Sequence, residues 1–148
     1  MDRLLIVIPV VLAAVGVAFV VQRRAPDPPA QPVNHVAPAQ LDRADFVHLG
    51  THDAPWLVVA FTSATCGTCP GVAAKAAVLA SSEVDSIEVE YSAERALHER
   101  YSITAVPTVV IADHEGVVQK SFMGATSATH LWAALAELRD PGSVPPGC

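Results

Sequence analysis

Two cysteines separated by two residues, Cys66 and Cys69, are the residues of this chain best suited to chemistry. They follow an apolar run and precede an alanine-rich segment, which favours helix. A helix that begins at Cys66 would direct unpaired backbone N–H groups and the positive end of its dipole at the sulfur, which stabilises thiolate over thiol. Such a thiolate attacks other disulfides, and the second cysteine then resolves the mixed disulfide. The pattern therefore predicts thiol–disulfide exchange.

Two other uses of the cysteine pair compete with exchange. Zinc binding would need two further ligands, and His48 and His52 are the candidates. A strand of seven residues at ~3.3 Å each would hold those histidines roughly 23 Å from the cysteines, too far for one tetrahedral ion. We therefore expect no metal in the chain itself and keep zinc only as an intermolecular site. A purely structural disulfide is disfavoured, because so small a ring gains little loop entropy.

Length and charge limit the classes of protein to which the chain can belong. Its 148 residues allow one domain and some additional sequence. A formal net charge of −6 opposes electrostatic attraction to nucleic acid, so we expect no nucleic-acid partner. The third cysteine, Cys148, lies in a Pro/Gly-rich tail over residues 141–148, which we expect to be flexible. A tail thiol without a role is the favoured interpretation of Cys148, and a third redox partner or an intermolecular link are the alternatives.

The first 40 residues predict a membrane anchor followed by a linker. Leu4–Val21 is an uncharged apolar run that would span roughly 27 Å as a helix, close to the thickness of the hydrocarbon core of a bilayer. We predict a single-pass transmembrane helix at residues 4–21 in a cell membrane; a cleaved signal is the alternative, with only a poor cleavage site. Arg23 and Arg24 slightly favour a cytoplasmic position for the following domain. Residues 22–40 contain five prolines, which predict an extended, semi-rigid linker.

The folded domain is predicted over residues 41–140, with strands and helices in alternation. Trp56–Thr62 is apolar on both faces, as is typical of a central strand covered by helices on both sides. A helix is predicted from Cys66 to about Ala80, with Pro70 in its first turn. The other predicted elements are a short strand or helix in Leu41–Leu49, a strand at Ile87–Tyr91, a helix at Ala93–Tyr101, a strand at Thr108–Ala112, a turn at Asp113–Gly116, a strand at Val117–Phe122 and a closing helix from Ser127 to Leu138.

This order of elements resembles the thioredoxin family over roughly residues 41–140, and three segments carry the resemblance. Cys66-Gly67-Thr68-Cys69 stands where the family has its redox pair. Ala105-Val106-Pro107-Thr108 resembles the cis-proline loop of the family. Phe122-Met123-Gly124-Ala125 resembles the segment whose glycine lets a partner polypeptide approach. The resemblance implies an α/β, thioredoxin-like fold, with a central mixed β-sheet flanked by helices, here preceded by one N-terminal transmembrane helix.

The resemblance also implies an activity and roles for particular residues. It implies a redox-active Cys66–Cys69 disulfide, with Cys66 as the attacking thiolate and Cys69 as the more buried resolving thiol. It implies a cis bond before Pro107, where Val106 would hold an extended cysteine-containing substrate segment and Gly124 would leave it room. The expected partners are protein dithiol or disulfide substrates and an unidentified redox partner, with no cofactor, because the cysteines carry the electrons. We predict a membrane-tethered thiol–disulfide oxidoreductase, and the sequence leaves open whether it reduces or oxidises its substrates. The alternative is a binding or assembly module without turnover.

The chain departs from the family pattern around the cysteines. Thr65 stands where thioredoxins usually have Trp, and Gly67-Thr68 stands where they usually have Gly-Pro. Replacing that proline should change the relative stability of the dithiol and hence its potential. Ala60 stands where thioredoxins commonly bury an Asp that helps to deprotonate the second cysteine. Glu88, on the next predicted strand, could supply a carboxylate near Cys69 as a proton acceptor. The alternative for Glu88 is a solvated glutamate on an outer strand.

Overall fold

The computed structural model describes residues 36–143, in which the two-faced apolar segment Trp56–Thr62 forms the inner strand β1. Strand β2 (Val84–Glu90) is parallel to β1 on one side, and β3 (Thr108–Ala112) is antiparallel to it on the other. Strand β4 (Val118–Met123) is antiparallel to β3. The order across this mixed sheet is β2-β1-β3-β4.

Helices cover both faces of the sheet. Successive side chains of a strand point to opposite sides, and the apolar side chains of β1 are buried on both. Phe61 faces a core layer closed by the 3₁₀ helix Arg43–Leu49 and by α2 (Arg95–Arg100). Val58 faces the other layer, closed by α1 (Cys69–Ala77) and α3 (Ala128–Arg139). The expected α/β architecture, a mixed sheet flanked by helices, is therefore confirmed for the described part of the chain.

Two predicted elements, the helix after β1 and strand β2, begin at other residues than predicted. The helix predicted from Cys66 begins at Cys69, because a turn precedes it in which the Cys69 N–H donates to the Cys66 carbonyl at 3.3 Å. Strand β2 begins at Val84 rather than Ile87, because its register with β1 pairs Val84 with Trp56. The segment left open as a strand or helix is the 3₁₀ helix, which begins after Asp42, whose carboxylate accepts from the Ala44 N–H.

The end of the predicted linker is attached to the domain. The Val118 N–H of β4 donates to the Ala39 carbonyl at 2.9 Å, and the Leu41 N–H donates to the Gly116 carbonyl at 2.8 Å. Gly116 has φ 81°, and a Cβ added there would lie 2.0 Å from the Leu41 oxygen. The chain therefore passes the turn between β3 and β4 at a distance that only glycine permits.

Asp85, in β2, is a buried carboxylate at the end of the sheet that lies away from the cysteines. Its Oδ2 accepts hydrogen bonds from the backbone N–H groups of His52 at 3.0 Å and Ala54 at 3.1 Å. The Arg43 guanidinium lies 3.6 Å from the same oxygen and also donates to the carbonyls of Ala54 and Asp113. These contacts join the 3₁₀ helix, the loop before β1 and β2.

Several predictions concern residues outside the described range. The transmembrane helix at residues 4–21, the linker up to residue 35 and Cys148 lie there, and they stay predictions. Between residues 36 and 143, no helix has both the length and the apolar character needed to cross a membrane.

Candidate active site

The two cysteines form a disulfide directly after β1, with their Cα atoms 5.4 Å apart. Cys66 lies in the turn before α1 and is partly exposed. Cys69 is the first residue of α1 and is only 1 % exposed. A polypeptide can therefore approach the Cys66 sulfur, whereas the Cys69 sulfur is covered.

The start of α1 at Cys69 changes the electrostatics expected for Cys66. The Cys66 N–H donates to the Ser63 carbonyl at 3.0 Å, and Cys66 lies one turn before the helix. Pro70, in the first turn of α1, has no N–H to donate. The prediction that the helix begins at Cys66 is therefore wrong, and Cys66 lies before the first turn of α1.

Two polar atoms contact the Cys66 sulfur. The Thr68 hydroxyl oxygen lies 3.5 Å from Cys66 Sγ, and the Val106 carbonyl oxygen lies 3.8 Å from it. Val106 is the residue before Pro107, and the bond between them is cis, as the resemblance implies. The fold therefore brings the loop before β3 against the exposed side of the disulfide.

Gly124 lies beside this loop at the end of β4. Its N–H donates to the Pro107 carbonyl at 2.8 Å, and its φ is 80°. A Cβ added at Gly124 would meet no atom within 4 Å, so the space next to the glycine is open. The structure thus brings together all three segments on which the resemblance rests.

A cavity of about 410 Å³ lies on the other side of the disulfide, between α1 and β2, and is lined in part by Cys69, Thr62, Glu88 and Glu90. The buried Thr62 hydroxyl donates to Glu88 Oε1 at 2.7 Å. Ala60 is itself buried in the apolar core layer and supplies no acid. Glu88 is exposed on the outer strand β2, as the alternative for it expects, but its carboxylate shares the cavity with Cys69.

Glu90 is a residue that the sequence analysis missed. Its carboxylate accepts hydrogen bonds from the backbone N–H of Ala64 at 2.9 Å, of Ser92 at 2.8 Å and of Ala93 at 3.1 Å. The hydrogen bond from Ala64, with those from Ala93 and Ser92, holds the pKa of Glu90 below its usual value. Glu90 therefore connects the loop that carries Cys66 to the end of β2. The contact depends on the pairing of Glu90 with Thr62 between β2 and β1, which the sequence alone does not indicate.

The histidines considered as zinc ligands have other partners. His48 Nε2 lies 3.0 Å from a carboxylate oxygen of Glu94, and His52 Nδ1 lies 3.6 Å from Asp85. Within residues 36–143, no three His, Cys, Asp or Glu side chains are arranged to hold one metal ion. The structure does not bring the histidines and cysteines together as a ligand set.

Comparison with known proteins gives a family and a fold. Residues 38–137 match the family model described as Thioredoxin. A mutant thioredoxin from Halobacterium salinarum superposes with a TM-score of 0.55 and 20% identity, over 72% of this chain and 91% of that chain. Mitochondrial thioredoxin 3 from Saccharomyces cerevisiae, in its oxidised form, gives a TM-score of 0.48 and 21% identity over 57% and 79% of the two chains. No curated protein sequence matches this chain.

Proposed function

Since this chain belongs to the thioredoxin family, we propose that it is a thiol–disulfide oxidoreductase whose Cys66–Cys69 pair exchanges with protein substrates. The observation that supports this most directly is the difference in burial between the two sulfurs. Cys66 is partly exposed beside the Val106 carbonyl, whereas Cys69 is 1 % exposed. An incoming disulfide would therefore meet one defined sulfur, and the second sulfur would be held back to resolve the adduct.

In the reducing direction the exchange has two steps. The Cys66 thiolate attacks one sulfur of the substrate disulfide, which forms a Cys66–substrate bond and releases a substrate thiolate that takes a proton. The Cys69 thiolate then attacks the Cys66 sulfur, which forms the Cys66–Cys69 disulfide and releases the second substrate thiol. Two electrons pass from the protein dithiol to the substrate. The reverse sequence oxidises a substrate, and the potential of the redox partner sets the direction.

The substrate segment would bind next to the disulfide in an extended conformation. Val106 would offer it backbone hydrogen bonds, and Pro107 would fix the loop against Cys66. The open space at Gly124 supports close approach of a second backbone there. The substrate is thus expected to be a flexible, cysteine-containing protein segment.

Glu88 is proposed as the proton acceptor for Cys69. Its carboxylate shares the cavity with Cys69 and accepts a hydrogen bond from Thr62. A carboxylate at this place would take the Cys69 proton through water in the cavity, which would speed the resolving step. This would replace the buried acid that is absent at Ala60.

Trapping a mixed disulfide tests the proposed exchange. A Cys69→Ser variant should accumulate a covalent adduct with a disulfide-containing client such as denatured insulin, because the resolving thiol is missing. A Cys66→Ser variant is the matched control and should form none. Wild-type protein should reduce insulin when dithiothreitol is supplied. Absence of both the adduct and turnover would favour the binding module instead.

The role of Glu88 is tested by the rate of the resolving step. Glu88→Gln should slow the decay of a preformed mixed disulfide on Cys66, because the carboxylate that accepts the Cys69 proton is removed, while attack by Cys66 keeps its rate. Glu83→Gln, a change on the exposed residue just before β2, is the control. If Glu88→Gln and Glu83→Gln resolve the adduct equally fast, Glu88 is only a solvated surface residue.

We further propose that the domain is tethered to a cell membrane through the uncharged segment of residues 4–21, with Arg23 and Arg24 favouring a cytoplasmic position. The length and apolar character of that segment in the sequence support the proposal. Labelling intact cells with a membrane-impermeant thiol reagent tests the side, since cytoplasmic cysteines would stay unlabelled. Release of the protein from membranes by alkaline washing would refute the tether.

A further inference from the structure

The hydroxyl of Thr68 is directed at the Cys66 sulfur and not at the helix that it precedes. Thr68 is the N-cap of α1, and the side chain of a threonine at such a position commonly accepts a hydrogen bond from the second or third helical N–H. Here that side chain makes no capping hydrogen bond. The backbone of Thr68 has φ −93° and ψ −18°, outside the extended region usual for a capping residue. Its oxygen lies 3.5 Å from Cys66 Sγ instead.

The two polar groups at the Cys66 sulfur have opposite effects once the disulfide opens. In the disulfide the sulfur has no proton, so the Thr68 hydroxyl is the donor in that contact. A donor placed there would stabilise a thiolate. The Val106 carbonyl, 3.8 Å from the sulfur, is only an acceptor and would favour the protonated thiol. Thr68 is thus the side chain in contact with this sulfur that can support its ionised form.

Charged side chains of the neighbouring elements have other positions or partners. Glu88 and Glu90 of β2 line the cavity beside Cys69, and Cys66 is not part of its lining. Lys75, on α1, donates to the Thr126 carbonyl at 3.0 Å. Since α1 begins only at Cys69, Cys66 lies before the first turn of the helix. Among the side chains of these elements, the Thr68 hydroxyl is the donor that contacts the reacting sulfur.

We propose that Thr68 is a positioning residue whose hydroxyl donates a hydrogen bond to the Cys66 thiolate and thereby makes the Cys66–Cys69 pair a stronger oxidant. This rests on the proposed exchange function. In a glutathione buffer, two glutathione thiols reduce the protein disulfide to the dithiol and become one glutathione disulfide, with two electrons transferred. A hydrogen bond that is stronger to the thiolate than to the disulfide sulfur favours the dithiol side of that equilibrium and lowers the pKa of Cys66.

Three substitutions in the full-length chain test this role. Thr68→Val removes the hydroxyl and keeps the shape of the side chain, while Thr68→Ser keeps the hydroxyl and should restore wild-type behaviour. Thr65→Val is the matched control, because the Thr65 hydroxyl contacts Ser63 Oγ at 3.1 Å rather than a sulfur. Thr65 and Thr68 are both exposed, so we expect all three variants to fold.

The expected change for Thr68→Val is roughly tenfold in the equilibrium constant with glutathione, the size typical of losing a hydrogen bond to a charged group. Tenfold corresponds to a potential lower by about 30 mV, and the pKa of Cys66 should rise by about one unit. The potential is measured in glutathione buffers. The pKa is measured from the pH dependence of alkylation at Cys66, followed by the mass of the peptide that contains it, because Cys69 and Cys148 are also thiols in the reduced protein. Thr68→Ser and Thr65→Val should stay within about threefold of wild type.

A Thr68→Val variant with the same Cys66 pKa and potential as Thr65→Val would overturn the proposal. So would a Thr68→Ser variant that shifts as far as Thr68→Val, because the hydroxyl would then not be the cause. The alkylation measurement does not depend on exchange with a client. A shifted pKa in a protein that never forms the client adduct would therefore support the role of Thr68 and refute the proposed function alone.

Discussion

Replacing Asp85 should destabilise the domain strongly without changing the chemistry of the cysteines. Asp85→Ala leaves the N–H of the buried Ala54 without its acceptor, which costs about 1–3 kcal/mol. It also removes the acceptor of the His52 N–H, at about 1 kcal/mol, and the carboxylate 3.6 Å from Arg43, whose side chain is 14% exposed. Breaking such a buried pair costs about 3–5 kcal/mol in total, so we expect a loss of about 3 kcal/mol.

Asp85→Asn should cost about half as much, because the amide oxygen still accepts both N–H groups but without charge. Asp53→Asn is the matched control, since Asp53 is also near Arg43, at 3.9 Å, but its side chain is 96% exposed. An exposed pair of this kind contributes about 0–1 kcal/mol. Asparagine also tolerates the positive φ of residue 53 as aspartate does.

Urea unfolding followed by tryptophan fluorescence measures these losses, with unchanged m values expected. A loss of about 3 kcal/mol should lower Tm by roughly 12–24 °C for a domain of this size. Activity per folded molecule should not change, because Asp85 pairs with Leu57 near the start of β1, whereas Cys66 follows the end of that strand. A cost below about 1 kcal/mol for Asp85→Ala, or equal costs for the two asparagine variants, would refute the reasoning.

Two further predictions concern Gly116 and Glu90. Gly116→Ala should cost ~2 kcal/mol or more in urea unfolding, because its Cβ would lie 2.0 Å from the Leu41 oxygen and because a positive φ is strained for alanine. Gly142→Ala, with a similar φ but open space around the added Cβ, should cost less. Equal costs for the two variants would contradict the proposed clash. The pKa of Glu90 is lowered in the folded protein by the Ala64 N–H, so its contribution to stability is present above the unfolded-state pKa and is lost as the pH falls through the folded-state pKa. The free energy of unfolding measured over acidic pH should show this loss in wild-type protein and not in Glu90→Gln. Identical acid profiles would exclude a stabilising contact between Glu90 and the Ala64 N–H.

Local signals in the sequence predicted much of the fold. The bounds predicted for β1 and β3, Trp56–Thr62 and Thr108–Ala112, are confirmed, because apolar runs bounded by breakers define buried strands. Ser127, the residue at which the closing helix was predicted to begin, is the N-cap of α3, since its Oγ accepts from the His130 N–H at 3.2 Å. These features depend on neighbours in the sequence, which a single chain displays directly.

The features that were missed depend on contacts between distant parts of the chain. The first half of β2 was not predicted as strand, and only the N–H groups of His52 and Ala54 explain the carboxylate of Asp85 inside it. Glu90 contacts Ala64 because β1 and β2 pair in one particular register, which the sequence does not specify. The cis bond before Pro107 followed from family resemblance, since the local sequence alone favours trans.

Helix α1 begins at Cys69 and not at Cys66, which places Cys66 in a turn before the helix. The sequence predicted a helix from Cys66, because alanine-rich segments favour helix and proline is tolerated in a first turn. The turn that precedes Cys69 is instead closed by hydrogen bonds to the Ser63 and Cys66 carbonyls. The side chain of Thr68, to which the sequence analysis gave no role of its own, therefore becomes a contact of the reacting sulfur.

The unequal burial of the two sulfurs also governs which covalent labels each of them can accept. Of the paired thiols Cys66 and Cys69, a bulky maleimide should modify only Cys66 in the reduced protein, because Cys69 is 1 % exposed. A compact haloacetamide could enter the cavity of about 410 Å³ beside Cys69 and modify that thiol as well. Sequential treatment with the large reagent and then the small one would mark the two positions with different masses, and so distinguish single adducts from fully reduced protein in one spectrum.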